Sequence, residues 1–457
     1  MPDNPPIDWR FVLCADVYAP DSTYSLTGWE THNISMLSGL ASQVELTFTL
    51  NRAGMLTFTV PSEDPRINGL CDIDGLPMLC TGKRAVKAYR RVGNSGPWVL
   101  RFAGRVWSLQ DHGDGDTVQT QVTCYDPLKI LEKRICRDVQ GCYVPGLANP
   151  PTSDNVWGQP SFCSPDRQVQ FWRDADCNPA MRNEGDGGAH DYGQDGQHGG
   201  SWIIKSLIFR TTVFGGANPG GSQPPPIVSN PEGHCHIDLG GIWMDTTPMS
   251  ITFDQKYVMD AIVQICDTGL VDLNVEYLDV FNGVFVRLGA TDRTGTDTDV
   301  HFAYAADPDN ASEYSRSESL DTTANYIDVF AKKVKGWNAV KKDDTSIENY
   351  LLMEDISSLS DIEHPNLLGK IANMALQMRK DPRNIVQVVP TPESNPLPFD
   401  DYYIGDTVHV DAGTDPYPVT RETISGVQRI YQLKVTLDDD FGEYVSEMVV
   451  SPQTGLT

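Results

Sequence analysis

The residues of this chain that could do chemistry are its carboxylates, ten cysteines and nine histidines. Carboxylates dominate, with 62 Asp+Glu against 35 Lys+Arg in 457 residues and a formal net charge of −27. A glycosidase needs two of them facing one bond, yet an acidic surface supplies them without any such pairing. Asp111, Asp114 and Asp116 offer the oxygens that Ca²⁺ takes, but their loop is too short for an EF-hand and has no twelfth-position Glu. His234-Cys235-His236 would put two imidazoles on one face of a strand, a metal pair if a third ligand came from elsewhere. The plainer reading is an exposed strand end beside Pro231 and Gly233.

Cys136, Cys142, Cys163 and Cys177 are separated by 5, 20 and 13 residues, unlike the paired knuckles of zinc sites. Cys14, Cys71, Cys80 and Cys124 lie in or beside apolar strand text and read as small core residues. Gly93-Asn94-Ser95-Gly96 sits in a hairpin turn, without the strand–Ser–helix setting of a nucleophile elbow. Thr81-Gly82-Lys83-Arg84 lacks the following hydroxyl residue and the glycine spacing of a phosphate loop. No H-E-x-x-H occurs. These readings assign no catalytic, cofactor-binding or metal residue. The expectation is a non-enzymatic protein whose work is shape and contact.

Charge narrows the partners. Residues 1–135 hold 13 Lys+Arg and 15 Asp+Glu, a net of −2, which leaves −25 for residues 136–457. Stable nucleic-acid binding wants basic stripes that release counterions, and this balance opposes it. The one basic cluster, Lys83-Arg84, Lys87 and Arg90-Arg91, reads as a solvated or interface strand edge. A hydrophobic content of 40% excludes a disordered polyanion. No apolar run approaches the ~18 residues of a membrane span, and none is flanked like a signal peptide. The length predicts two to four domains of a soluble, non-secreted product.

The elements that must position these residues are mainly β. Val44, Leu46, Phe48 and Leu50 alternate with polar residues, Asn51 to Gly54 turn the chain with Gly54 free to take positive φ, and Leu56, Phe58 and Val60 return. Strands follow over 84–92 and 98–109, with a bulge expected at Gly104, and then a turn over 111–116. Closing these strands predicts a barrel over 1–135 that ends in a helix opened by Asp126-Pro127. Residues 136–255, where seven of the eighteen residues Asn183 to Gly200 are Gly, read as an irregular insertion. Residues 256–395 read as mixed α/β with second-barrel strands: a helix from Tyr257, strands over 270–278, 284–288 and 326–334, an acidic loop over 291–318, and a helix from Pro365 stopped by Pro382. Residues 396–457 read as a small β-barrel of their own.

The ordered pieces resemble a family. "WVLRFAGRVWSLQDHGDGDTVQTQVTCYDP", Trp98 to Pro127, is similar to the first barrel of phage tail-tip (baseplate) hub proteins, the minor tail proteins of siphophages infecting actinobacteria. Phe102, Gly104, Arg105, Val106 and Asp126 occupy the places of that family's Phe-x-Gly-x-Val strand and closing Asp. Asn51-Arg52-Ala53-Gly54 with "MLTFTVP" resembles the preceding hairpin, and Met259 to Asp272 with Asn282-Gly283 the helix-plus-hairpin segment. Tyr403-Ile404-Gly405-Asp406-Thr407-Val408 and Gly426-Val427 resemble the carboxyl-terminal strand set.

The resemblance implies two tail-tube-like β-barrels joined by a mixed α/β domain, in a homotrimer whose barrels form a pseudo-sixfold ring continuing the tail tube. It implies contacts with the distal tail ring, the tape-measure protein and fibre or other minor tail proteins. It also implies a virion location after synthesis in the host cytoplasm, and a lumen that DNA passes without stable binding or membrane insertion. Three copies would carry 3 × −27 = −81, and an acidic bore would not trap DNA. The flat amino-terminal hairpins are the expected seam. Two alternatives stand beside this one. An accessory tail protein would grip host glycan through Trp157, Phe171, Trp172 and Tyr192, and a cell-wall hydrolase would use paired carboxylates.

Overall fold

The computed structural model describes residues 6–14, 37, 40–64, 67, 79–82, 84–114, 117–134, 168–173, 179–180, 200–201, 203–204, 207–208, 237–242, 251–254, 256–267, 271–278, 286–291, 294–305, 310–321, 323–331, 338–359, 365–381, 383–392, 396–412, 424–438 and 442–452. Alternation of apolar side chains makes most of the described residues β. The strands are β1 Ile7–Cys14, β2 Ser42–Thr49, β3 Met55–Pro61, β4 Ala85–Val92, β5 Val99–Asp114 and β6 Thr117–Tyr125, followed by the one-turn helix α1 Leu128–Leu131. Strands β7 Gln168–Arg173, β8 Pro179–Ala180, β9 Ile237–Ile242 and β10 Ile251–Asp254 precede α2 Val258–Cys266. Then come β11 Asp272–Tyr277, β12 Val286–Thr291, β13 Asp297–Tyr304, β14 Ala311–Ser319, β15 Tyr326–Ala331 and β16 Asn338–Lys342. The chain ends with α3 Asp344–Tyr350, β17 Glu354–Leu359, α4 Pro365–Arg379, β18 Arg383–Pro390, β19 Thr407–Ala412, β20 Ile424–Asp438 and β21 Gly442–Pro452.

Twelve strands share one sheet, in the order β1-β4-β5-β6-β3-β2-β20-β21-β18-β14, with β19 and β13 branching from β20. The amino-terminal six do not close on themselves among the described pairings. Instead β2 pairs antiparallel with β20, placing Val44 opposite Leu437, Leu46 opposite Val435 and Phe48 opposite Leu433. Lys434 Nζ and Glu45 Oε2 add an ion pair of 2.8 Å across that seam. The strands of 396–457, expected to form a barrel of their own, are likewise not separate. β19 pairs with β13 and β21 with β18, which carries β14 on its far side, and Phe302, Val386, Val408, Ile430 and Met448 share one core. The amino-terminal core holds Leu46, Phe48, Leu56, Phe58, Phe102, Val106, Val122 and Cys124. Period two on β2, β3 and β6, and the shared parity of Phe102 and Val106 on β5, put them there.

A third core lies under the mixed α/β part. The apolar stripe of α2, with Ala261, Ile262 and Ile265 fully buried, packs with β11, β12, α1 and α4. Two small sheets, β11-β12-β9 and β16-β15-β17, belong to this layer, and α4 covers one face of the second. The acidic stretch 291–318 corrects its expected loop: it holds β13 and β14. In the insertion, β7 pairs with β10 and β8. No helix of the described residues is long and apolar enough to cross a membrane.

Candidate functional site

The motif residues converge on the joints between these cores. Asp126 ends β6 and is 1% exposed. Its Oδ1 accepts from the Leu128 N–H at 2.9 Å, which starts α1, and its Oδ2 accepts from the Gly54 N–H at 2.7 Å and the Tyr277 hydroxyl at 3.2 Å. One carboxylate thus ties the β2–β3 hairpin, β6, α1 and β11. Burial pushes its carboxyl up to about 7, against the lowering effect of those three donors. Tyr277 itself packs on both the amino-terminal and the α/β core.

Two glycines are needed here for room rather than for φ. A Cβ on Gly54 would stand 2.6 Å from Tyr277 Oη and 3.1 Å from Asp126 Oδ2, and one on Gly104 would stand 2.5 Å from the Tyr125 carbonyl. Positive φ at the hairpin falls on Asn51 (φ 60), not on Gly54. The β5 bulges likewise fall at Arg101 against β4 and at Trp107 against β6, three residues either side of Gly104. Gly104 itself keeps its register and lets β6 approach.

Asn51 extends the joint. Its Oδ1 accepts from the Leu273 N–H at 2.7 Å and its Nδ2 donates to Asp272 Oδ1 at 3.0 Å. Asp272 Oδ2 in turn accepts from Arg429 Nη2 at 2.6 Å, and Arg429 Nε donates to the Gly405 carbonyl at 3.1 Å. Gly405 and Gly295 (φ 88 and 86) pack backbone on backbone, so a Cβ on Gly295 would meet Gly405 at 2.2 Å. Asp406 receives the N–H of Thr296 at 2.6 Å and of Tyr403 at 2.7 Å. The Gly405-Asp406 motif is therefore a lock between two loops. The cavity at this joint, about 30 Å³ and lined by Asn51, Asp126, Tyr277 and Tyr403, suits a water and not a substrate.

The second joint is ionic. Arg90 on β4 is 1% exposed and grips Glu443 of β21 with both Nε (2.7 Å) and Nη2 (2.9 Å), while Nη1 reaches Asp400 at 2.5 Å. Arg101 joins Asp400 at 3.0 Å, Trp9 Nε1 donates to Glu443 at 2.7 Å, and Phe399 lies within 5.7 Å of both guanidinium groups. Burial opposes the Arg90 charge, but the bonds to Glu443 and Asp400 outweigh it and raise its pKa. The basic cluster expected at a solvated or interface edge thus includes a buried clamp.

The other candidates fall differently. Asp111 lies in the ladder opposite Thr120 and accepts its hydroxyl at 2.7 Å, while Asp116 lies outside the described residues and Asp114 is described by its backbone alone. His234, His236, Cys71, Cys136, Cys142, Cys163, Cys177, Trp157 and Tyr192 also lie outside them; Phe171 and Trp172 are on β7, their side chains not described. Cys124 is buried and Cys80 partly so. A cluster the sequence reading missed, His301, His409 and Asp411, meets on the outer face of β13 and β19. Its signal was the spacing His409-x-Asp411 in a Val-alternating strand.

No sequence-family model matches the chain, and comparison with curated proteins finds no match. Solved structures do match. The 43 kDa tail protein of prophage MuSo2 from Shewanella oneidensis superposes with a TM-score of 0.52 at 11% identity, covering 98% of this chain and 99% of that one. A tail protein from Neisseria meningitidis MC58 gives 0.51 at 11% identity, covering 97% of each chain. The chain thus has, over nearly its whole length, a mainly β fold shared with tail proteins.

Proposed function

We propose that the chain is a structural hub of a phage tail tip. The observation that carries this reading is the β2–β20 pairing. It sets two strand groups edge to edge within one protomer, which a pseudo-sixfold ring built from three copies requires. The likeness to tail proteins across the whole chain supports the same reading. Each strand group is the counterpart of one tube-like barrel, and the α/β layer braces the pair from outside.

The β2–β3 hairpin spends both its edges inside the chain, on β20 and β6, so the seam moves to the ends of the sheet. β1 and β14 stand at those opposite ends. Contact of one copy's β14 end with the next copy's β1 end is head-to-tail, and with a threefold rotation it closes. The ring's lumen would pass DNA, its upper face meet the distal tail ring and tape-measure protein, and its outside anchor fibre or other minor tail proteins. This places the protein in the virion, in a siphophage of the kind that infects actinobacteria. Light scattering of the purified chain tests the assembly: the expected mass is three times 50.5 kDa, about 152 kDa. A strict monomer at every concentration, together with absence of label from the tail tips of intact particles, overturns the proposal.

A further inference from the structure

β13 and β19 run parallel with His301 directly opposite His409 and Ala303 opposite Asp411. Alternate residues of a strand share a face, so His409 and Asp411 point the same way, and His301 joins them from across the ladder. The intervening Phe302 and Val410 point into the core. The three polar side chains therefore stand on the outer face, held from beneath by packed neighbours. His301 Nε2 lies 2.6 Å from Asp411 Oδ2, His409 Nδ1 lies 3.7 Å from the same oxygen, and the rings meet edge to face at 4.9 Å. One ligand atom from each residue falls within 4.8 Å of the others. His409 Nδ1 is shielded from solvent and makes no hydrogen bond, a lone pair or proton aimed into the cluster. Ser425, opposite Asp411 on β20, hydrogen-bonds that carboxylate and helps fix its orientation.

We infer that His301, His409 and Asp411 form a binding site for a borderline divalent transition metal of the Zn²⁺ type. Two imidazoles and one carboxylate are the donor set such ions prefer, whereas Ca²⁺ and Mg²⁺ want oxygens alone. Tetrahedral ligands at 2.0–2.1 Å from zinc stand about 3.3 Å apart. The separations of 2.6 and 3.7 Å from Asp411 Oδ2 bracket that spacing, and the exposed His301 ring has room to turn away from the oxygen. Three protein ligands leave one position for water. The ion would staple β13 to β19 where the ladder needs it. Their register slips between Asp297 and His301, and β13 has no other sheet partner among the described strands.

The test uses the full chain, stripped with chelator and titrated with ZnCl₂ by calorimetry, alongside the variant His301→Asn/His409→Asn. Cysteines and histidines elsewhere, those of residues 136–236 included, also bind zinc, so the difference between the two proteins is the readout. The expected result is one site in the wild type that the variant lacks or holds at least about tenfold more weakly. With Co²⁺ as a spectroscopic probe, the wild type alone should show the visible bands of a nitrogen- and oxygen-ligated ion. Both substitutions lie on the solvent side of the sheet, and matching melting curves in chelator confirm the variant's fold. Equal zinc binding by both proteins overturns the inference, because the ion is then held elsewhere. No binding by the wild type overturns it too, leaving a His–Asp ion pair and nothing more.

Discussion

Two buried joints hold this molecule together, and they solve the burial of charge in opposite ways. At the ionic joint, Arg90 lies between Glu443 and Asp400, so positive and negative groups leave water together. At the other, Asp126 has no cation among the described residues and is held by two backbone N–H groups and the Tyr277 hydroxyl. The ionic joint fastens the amino-terminal strands to β21, far along the chain. The hydrogen-bonded joint fastens them to the α/β layer. The contrast teaches that a buried charge is as secure as the partner that compensates it.

The sharpest way to break the contrast is to remove one partner of the ionic joint. Glu443→Ala leaves Arg90 buried with only the half-exposed Asp400, at a cost of about 3–5 kcal/mol in urea unfolding. The double variant Arg90→Met/Glu443→Leu should recover most of that loss, because it removes both charges and fills the volume. A double variant as unstable as the single one would show that the clamp's hydrogen-bond geometry, and not charge balance, holds the strands.

The Asp126 joint should answer to pH. The folded carboxyl of Asp126 titrates near 7, well above its ordinary value of 3.8, because burial penalises the ionised form. Between those values the folded state holds a proton that the unfolded chain has released. Stability from this group is therefore full below about pH 4 and falls as pH rises through 7, by about 4 kcal/mol in all. Asp126→Asn should flatten that part of the pH profile, read as unfolding midpoints from pH 4 to 8. An unchanged slope would place the titration elsewhere. Gly54→Ala strikes the same joint sterically, since its Cβ would press on Tyr277 Oη and Asp126. We expect a loss of about 1–3 kcal/mol, with little effect on the Arg90 clamp.

How far these joints were legible in the sequence depends on whether the signal is local. The alternation of Val44, Leu46 and Phe48, the α2 stripe and the Pro-bounded α4 are local patterns, and the structure has them. Asp126 as the start of a helix was equally local. Its bonds to Gly54 and Tyr277 were not, because they span 72 and 151 residues. The Arg90–Glu443 pair spans 353 residues, and nothing in a run of five basic residues marks one as buried. β13 and β14 went unread for a different reason. β14 ends the sheet and bears Glu313, Ser315, Arg316 and Ser317, the polar dress of an exposed edge that mimics a loop. Closure of the first barrel was expected from its bulges, but β2 found a partner in β20, a choice that depends on residues nearly four hundred positions away.

The smallest test divides the Asp126 joint itself. Tyr277→Phe keeps the ring that packs on Phe48 and Phe102 and deletes only the hydroxyl that reaches Asp126. If the carboxylate is held by all three donors, losing one leaves the ionised form less stabilised and pushes its pKa further up. The cost should then depend on pH: about 1 kcal/mol at pH 8, where Asp126 is charged, and less at pH 5, where it is protonated. A loss that is the same at both values would mean that the hydroxyl serves packing alone. The two backbone N–H groups, fixed by the Gly54 approach and the α1 start, would then carry the charge unaided, and the joint would be a property of the main chain and not of Tyr277.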